Sequence, residues 1–243
     1  MRYLITFSYD GSKFSGYQRQ LNALSVQEEL EEALFKLSGK KVIVSASGRT
    51  DSGVHAINQK AHFNLDIKIN IDELKKALNS LIPNTIYIKK VEIVSDDFHA
   101  RFNVKFKNYI YKINIGEYDP LMKDYILQYN KKLDIFKMKK ASKYLIGEHN
   151  YKAFSKTDAS KEDYVRIIKK ISFSKKKNII IISFIGNGFL RYMVRNIVGL
   201  LIEVGSGKKN YKETKTILNS LDRTKAGITA KPNGLYLKDV IYK

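Results

Sequence analysis

The chain contains no cysteine, so it can form neither a disulfide framework nor a thiolate metal site. It has no apolar run long enough to span a bilayer, and its beginning, MRYLITFSYDG, lacks the apolar core of a signal peptide. Its glycines form neither a Walker loop nor a dinucleotide-binding fingerprint. These absences favour a cytoplasmic protein without a membrane segment and give no sign of a bound nucleotide cofactor.

Acidic residues are too few to balance the basic ones: 24 Asp and Glu face 44 Lys and Arg, a net charge of +20. A field of this sign concentrates polyanions such as nucleic acid or an anionic membrane, although a codon bias towards lysine is the alternative explanation. Arginine is scarce, with 8 residues against 36 lysines. Its positions are therefore informative, because arginine makes planar, bidentate contacts to phosphate or carboxylate that lysine does not.

The length of 243 residues allows one large domain or two of ordinary size, and a hydrophobic fraction of 44% supplies a core. The first half predicts the ferredoxin-like order β-α-β-β-α-β. Its strands are predicted at residues 2–9, 42–47, 59–65 and 86–94, and its two helices begin with capping boxes at Ser25 and Asn70. We therefore place an N-terminal α/β half at residues 1–104.

The second half, residues 105–243, repeats this pattern less regularly. Strands are predicted at 107–116, 164–173, 179–186 and 234–242, and helices at 137–145, at 189–204 and after Asn210. No low-complexity linker separates the halves, which allows their sheets to be continuous.

The stretch SASGRTDSGVHAINQ, residues 45–59, contains more than a turn requires. Gly48 and Gly53 flank Arg49 and Asp51, and nearby cations favour the ionised form of the Asp51 carboxyl and lower its pKa. Such a group is a poor general acid but a suitable nucleophile or charge stabiliser. The alternative is a solvated turn in which the aspartate caps its own backbone.

A second cluster is GNGFLRYMVRNIVG, residues 186–199, on a predicted helix. Arg191 and Arg195 are four residues apart and share one helix face, which is commonly a solvated basic face. Arg195 is flanked by apolar residues, so we expect it to be half-buried and to need an anionic partner. Asp51 is a candidate for that partner.

Basic and aromatic residues alternate in a third stretch, FHARFNVKFKNYIYK, residues 98–112. Aromatic faces stack on bases and cations contact phosphates, so this pattern is typical of RNA binding. A core strand gives the same alternation, and we interpret Tyr111 as a core residue.

A metal site is not indicated. The four histidines are dispersed along the sequence, and Asp51 and His55 do not have a recognised ligand spacing. We interpret His55 as a structural or RNA-contacting residue. A glycosidase of the two-carboxylate type is also unsupported, because the loop offers no second acid.

Taken together, three stretches resemble the bacterial TruA-type tRNA pseudouridine synthases. They are SGRTDSGVHA, FHARF with Tyr109 eight residues after Arg101, and GFLRYMVRNIVG. YDGSKFSGYQRQ, SVQEELEEAL and TAKPNGLYL fit in the same order, so the resemblance covers nearly the whole chain.

The resemblance implies an enzyme that converts uridine to pseudouridine at positions 38 to 40 of the tRNA anticodon stem-loop, without metal or cofactor. Asp51 matches the essential aspartate that acts at the ribose, and Tyr109 the tyrosine that packs on the target base. Arg195 matches the basic partner of the aspartate, and Arg49 an arginine that helps to hold the nucleotide out of the stack. The implied fold is α+β: two ferredoxin-like or RRM-like halves sharing a continuous, mostly antiparallel sheet, with a basic cleft between them, in a homodimer.

A non-catalytic RNA-binding or RNA-chaperone module remains the alternative from the residues alone, because its positive charge and aromatic residues would suffice. Asp51 discriminates between the two readings, since a pure RNA binder has no use for it.

Overall fold

The structure is a computed structural model that describes residues 1–156 and 163–243. In chain order its strands and helices are β1 (Arg2–Tyr9), α1 (Val26–Ser38), β2 (Ser45–Ala46), β3 (His55–Asn64), α2 (Ile71–Leu81), β4 (Ile86–Val94), β5 (Val104–Asn114), β6 (Leu127–Gln128), α3 (Ile135–Lys143), β7 (Gly147–Asn150), β8 (Val165–Lys176), β9 (Ile179–Gly186), α4 (Met193–Gly205), α5 (Glu213–Ser220) and β10 (Leu235–Tyr242). The predicted α+β class and the β-α-β-β-α-β order of the first half are confirmed.

The chain forms two compact units: unit 1 comprises residues 1–105 and 236–243, and unit 2 comprises residues 106–235. In unit 1 the strand order is β4-β1-β3-β10, with β2 beside β3. Strand β1 is antiparallel to both β3 and β4, whereas β10 is parallel to β3, with Tyr236 opposite His55. The closing strand therefore belongs to unit 1, although chain position alone assigns it to the second half.

Capping and apolar spacing explain the two helices of unit 1. The Ser25 side chain accepts a hydrogen bond from the Glu28 N–H at 3.4 Å, and Leu30 and Leu34 of α1 are buried. Helix α2 begins after Asn70, whose side chain accepts from the Asp72 N–H at 2.8 Å. The predicted caps are therefore present, although Asn70 uses the second N–H of its helix and not that of Glu73.

Strand β2 is shorter than the predicted 42–47, and the reason lies in α1. The Val44 N–H donates to Glu31 Oε1 at 3.1 Å, and the Val44 carbonyl accepts from Gln27 Nε2 at 3.3 Å. Side chains of the helix thus satisfy the backbone groups that a ladder would otherwise use. Strand β3 is longer than predicted because it begins at His55, where β10 supplies a partner that is distant in sequence.

Unit 2 contains the strand order β5-β9-β8-β7, all antiparallel, and β6 pairs in parallel with β5. Its core combines the inward faces of β5 and β9 with helix α4. The predicted stripe of Met193, Ile197 and Leu201 is fully buried. Tyr111 is fully buried as well, and its hydroxyl donates to the Lys231 carbonyl at 2.6 Å, which confirms its interpretation as a core residue.

Helix α4 begins at Met193 and not at residue 189 as predicted. Tyr192 has φ 66°, in the left-handed region, so the backbone turns there before the helix starts. Arg191 precedes the helix and Arg195 lies on its first turns, so the prediction that both occupy one helix face was wrong. The predicted helix began too early because Phe189 and Leu190 continue the apolar pattern, although neither residue is helical.

The third stretch also differs from the prediction. Strand β5 begins at Val104, and residues 98–103 form turns, because the His99 carbonyl accepts from the N–H groups of both Phe102 and Asn103 at 3.1 Å. The interleaved basic and aromatic residues therefore continue as a strand only in their second half.

Candidate active site

The loop between β2 and β3, residues 47–54, carries Asp51 and Arg49 on irregular backbone. Asp51 is partly buried, and its carbonyl accepts a hydrogen bond from the Val54 N–H at 3.1 Å, which closes a tight turn. Gly53 has φ 76° within that turn, a conformation that favours glycine. Arg49 is exposed. The loop therefore presents a guanidinium outward two residues before a partly buried carboxylate.

Buried hydrogen bonds hold the beginning of this loop to β3. Gln59 is fully buried; its Oε1 accepts from Ser47 Oγ at 2.7 Å and its Nε2 donates to the Gly48 carbonyl at 3.0 Å. The Ser47 N–H also donates to the Lys60 carbonyl at 2.7 Å. Residues 47 and 48 are thus fixed by the Gln59 side-chain amide, together with one backbone hydrogen bond that extends the pairing of β2 with β3.

Thr50 is anchored from the other side. Its Oγ1 and the Tyr9 hydroxyl share a buried hydrogen bond of 2.7 Å, and its carbonyl accepts from the Tyr17 N–H at 3.2 Å. Burial raises the pKa of Tyr9 to about 12, so its hydroxyl is protonated at neutral pH. Both residues are nearly inaccessible to solvent and face the interior of unit 1.

After the turn, His55 fixes the loop to the start of β3. Its Nδ1 accepts from the Gly11 N–H at 3.1 Å, and its ring stacks on Tyr236 of β10 with centroids 4.6 Å apart. A Cβ on Gly11 would lie 2.1 Å from the Val54 carbonyl oxygen, so only glycine fits this approach. His55 is 2% exposed. Of its two interpretations, the structural one is confirmed.

Tyr109 lies on β5 in unit 2, opposite Phe184 of β9. Its ring meets Phe189 edge-on, with centroids 5.3 Å apart, and the side chain is 8% exposed. Phe189 also lies 3.1 Å from the position that a Cβ would take on Gly186, so a larger residue there would displace the ring. Tyr109 thus lies on a regular strand, and its ring packs against Phe189 from the segment between β9 and α4.

Arg195 lies on the first turns of α4 in unit 2 and is partly buried, as predicted. Its Nε donates to the Ala230 carbonyl at 2.8 Å, and its guanidinium lies 5.0 Å from the centroid of the Tyr192 ring. The Ala230 N–H in turn donates to the Arg195 carbonyl at 3.1 Å. One hydrogen bond to the Ala230 carbonyl and one aromatic ring thus orient this guanidinium, and the second hydrogen bond joins the two backbones.

The predicted site residues fall into two groups. Asp51 and Arg49 belong to the loop of unit 1, whereas Tyr109 and Arg195 belong to unit 2. The ion pair of Asp51 with Arg195 and the basic cleft stay predictions. Sequence reasoning missed Tyr9 and Gln59, which hold the Asp51 loop. The available signal was a glutamine on the same face of the predicted strand as Ala61, Phe63 and Leu65.

The histidines are less dispersed than the sequence indicated. His62 and His99 are in contact, with ring centroids 4.6 Å apart, and His62 Nδ1 accepts from the Ala100 N–H at 3.1 Å. Burial, with smaller contributions from the neighbouring His99 and Arg2, lowers the pKa of His62 to about 4. Within residues 1–156 and 163–243, no three His, Cys, Asp or Glu side chains come together as metal ligands would.

Across the part of the chain that the structure describes, none of the helices has the length and apolar character needed to cross a bilayer.

Comparison with known proteins gives a consistent family assignment. The family model described as tRNA pseudouridine synthase matches residues 5–103 and 141–243. A protein named tRNA pseudouridine synthase A from Streptococcus agalactiae serotype Ia is 45% identical over 246 residues, covering 100% of this chain and 95% of the relative. Proteins of the same name from Streptococcus uberis and Streptococcus thermophilus are 44% and 41% identical, and they are covered over 98% and 100% of their lengths.

Proposed function

Because the chain belongs to the tRNA pseudouridine synthase family, we propose that it isomerises uridine to pseudouridine in tRNA, at positions 38 to 40 of the anticodon stem-loop. The observation that carries the proposal is a Gly-Arg-Thr-Asp loop with a partly buried Asp51, in a chain that is similar to named synthases over its full length. A protein that only bound RNA would have no use for a carboxylate fixed in this way.

The chemistry needs few groups. The N1–C1′ glycosidic bond breaks, the uracil turns in place and C5 joins C1′. The proton at C5 then leaves to water and N1 takes up a proton, so substrate and product are isomers. No water adds to the sugar and the base stays in the pocket, so a single carboxylate suffices where glycoside hydrolysis uses two. We assign Asp51 to the ribose, where an anionic oxygen acts at the carbon that loses its bond to N1.

The other predicted residues support base extrusion and binding. Flipping a stacked base out of RNA costs about a few kcal/mol, which contacts in the pocket must offset. We assign the Tyr109 ring to packing on the face of the extruded base, and Arg195 to an ion pair with the Asp51 carboxylate. We assign the exposed Arg49 to the gap that the extruded nucleotide leaves in the base stack. The net charge of +20 supports binding of the RNA backbone.

The compartment and the assembly are part of the same proposal. A tRNA-modifying enzyme meets its substrate in the cytoplasm, and the family resemblance implies a homodimer that grips the tRNA. Sedimentation of the protein with and without tRNA tests the homodimer, and a monomer in both conditions contradicts it.

Tritium release tests the activity directly. Unmodified tRNA carrying tritium at uracil C5 should lose its label to water when it is incubated with the wild-type protein. Replacing the uridines at positions 38 to 40 with cytidine should abolish release. Release from that substituted tRNA contradicts the position assignment, and binding without any release from either tRNA indicates an RNA-binding module.

A further inference from the structure

The Asp51 loop is irregular, yet hydrogen bonds to largely buried groups fix its first half. Ser47 and Gly48 are held by Gln59, and Thr50 is held by Tyr9 and by the Tyr17 N–H. Buried polar groups that are all satisfied select one geometry, because any shift leaves a donor or acceptor unpaired away from water. This network therefore fixes the geometry of the first half of the loop and does more than connect β2 to β3.

Thr50 occupies the decisive position in this network. It lies between Arg49 and Asp51 in sequence, and its side chain is directed away from both into the interior of unit 1. A hydrogen bond at its Oγ1 and another at its carbonyl fix the peptide that leads into Asp51. Because Asp51 follows Thr50 directly, the orientation of this peptide sets the direction in which the Asp51 side chain leaves the backbone.

We propose that Tyr9 is a positioning residue for Asp51, and that it acts through its buried 2.7 Å hydrogen bond to Thr50. The hydroxyl does not touch the substrate; it sets the place from which the Asp51 carboxylate reaches the ribose. This inference rests on the proposed function. A misplacement of about 1 Å at a reacting group can cost on the order of 10²-fold in rate, which gives the scale of the expected effect.

Tyr9→Phe is the primary test, because it removes one oxygen and keeps the ring that packs in unit 1. The single-turnover rate at saturating enzyme should fall about 10- to 100-fold, while the Kd for tRNA changes less than about threefold, since the RNA-facing surface is intact. Thr50→Val should cause a similar loss. Thr50→Ser keeps the hydroxyl and should restore most of the wild-type rate.

The double variant Tyr9→Phe with Thr50→Val sharpens the test. If the two residues act through their shared hydrogen bond, the double variant loses much less than the product of the two single losses. Independent, multiplicative losses contradict an action through that bond.

Tyr151→Phe is a matched control, since it also removes a buried tyrosine hydroxyl, one that donates to the Leu145 carbonyl at 2.7 Å in unit 2. It should lower Tm to a similar extent and leave the single-turnover rate unchanged. A Tyr9→Phe variant that loses Tm but keeps its rate, or loses rate only as much as tRNA affinity, overturns the inference. Absence of isomerisation by the wild type would instead overturn the proposed function.

Discussion

The two units place their site residues by different physical means. In unit 1, Asp51 and Arg49 lie on irregular backbone that side-chain hydrogen bonds from Tyr9 and Gln59 hold in place. In unit 2, Tyr109 and Arg195 lie on a regular strand and a regular helix that apolar packing holds in place. The two groups should therefore respond differently to substitution.

The largest expected effect is at the loop carboxylate. Asp51→Asn keeps the size of the side chain and removes its negative charge, so the single-turnover rate should fall by about 10⁴-fold or more, as it does when a principal catalytic group is removed. Binding of tRNA should be unchanged or tighter, because a negative charge is removed from a surface that meets phosphate. Filter binding and single turnover on the same tRNA measure both. Turnover near the wild-type rate would remove Asp51 from the mechanism.

On helix α4 of unit 2, Arg195→Lys should lower the single-turnover rate by about 10²-fold. Lysine keeps the charge, but it cannot both donate to the Ala230 carbonyl and present a planar fork to a carboxylate. Arg166→Lys is the control, because Arg166 forms a surface ion pair with Asp163 at 2.9 Å, and such pairs contribute little. Equal rates for the two variants would show that the geometry of Arg195 is irrelevant.

The two units can also be compared through the stability of variants at two glycines, Gly11 in unit 1 and Gly199 in unit 2. An alanine Cβ would lie 2.1 Å from the Val54 carbonyl oxygen at Gly11 and 1.8 Å from the Ile228 carbonyl oxygen at Gly199. Gly199 lies in the buried helix α4, so we expect Gly199→Ala to lower the free energy of unfolding by about 3 kcal/mol, at the upper end of overpacking costs.

Gly11→Ala should lower the free energy of unfolding less, by about 1 kcal/mol, because the loop can move away. That movement displaces Asp51, so this variant should lose more activity than Gly199→Ala when both are assayed below their Tm. Urea unfolding and single turnover give the two rankings. If the variant with the larger loss of stability also has the larger loss of activity, the proposed difference between the Asp51 loop and helix α4 is wrong.

The last prediction concerns pH and is confined to unit 1. Burial lowers the pKa of His62 to about 4 from an ordinary value of 6.5, so the unfolded chain binds a proton at a higher pH than the folded protein. Stability should therefore decrease as the pH falls from about 6.5 towards 4. His62→Asn retains an acceptor and does not titrate, so urea unfolding should show a smaller decrease over this range. An identical decrease in both proteins would assign the effect to other groups.

The contrast between the units also explains what the sequence could predict. Ser25 and the stripe from Met193 to Leu201 are local patterns, since a cap needs three residues and a helix face needs spacings of three and four. These were predicted correctly, as was the partial burial of Arg195, which follows from its apolar neighbours.

Other features depend on partners that are distant in sequence. Tyr9 meets Thr50 across 41 residues. The early start of β3 depends on β10, and the shortened β2 depends on two side chains of α1. No local pattern encodes these contacts. The late start of α4 was missed for a different reason: an apolar pattern continues through Tyr192, where the backbone is left-handed and not helical.

The parallel pairing of β10 with β3 has a consequence for folding during translation. The ribosome releases residues 1–105 first, yet the strand that completes their sheet emerges only after all of unit 2 has been translated. The ring of Tyr236, on which His55 stacks, arrives with that strand. Until then, the beginning of β3 at His55 and Ala56 lacks the partner that β10 supplies, and the Asp51 loop lacks the stacking of His55 on Tyr236. The loop that carries Asp51 is therefore fully anchored only after unit 2 has been translated.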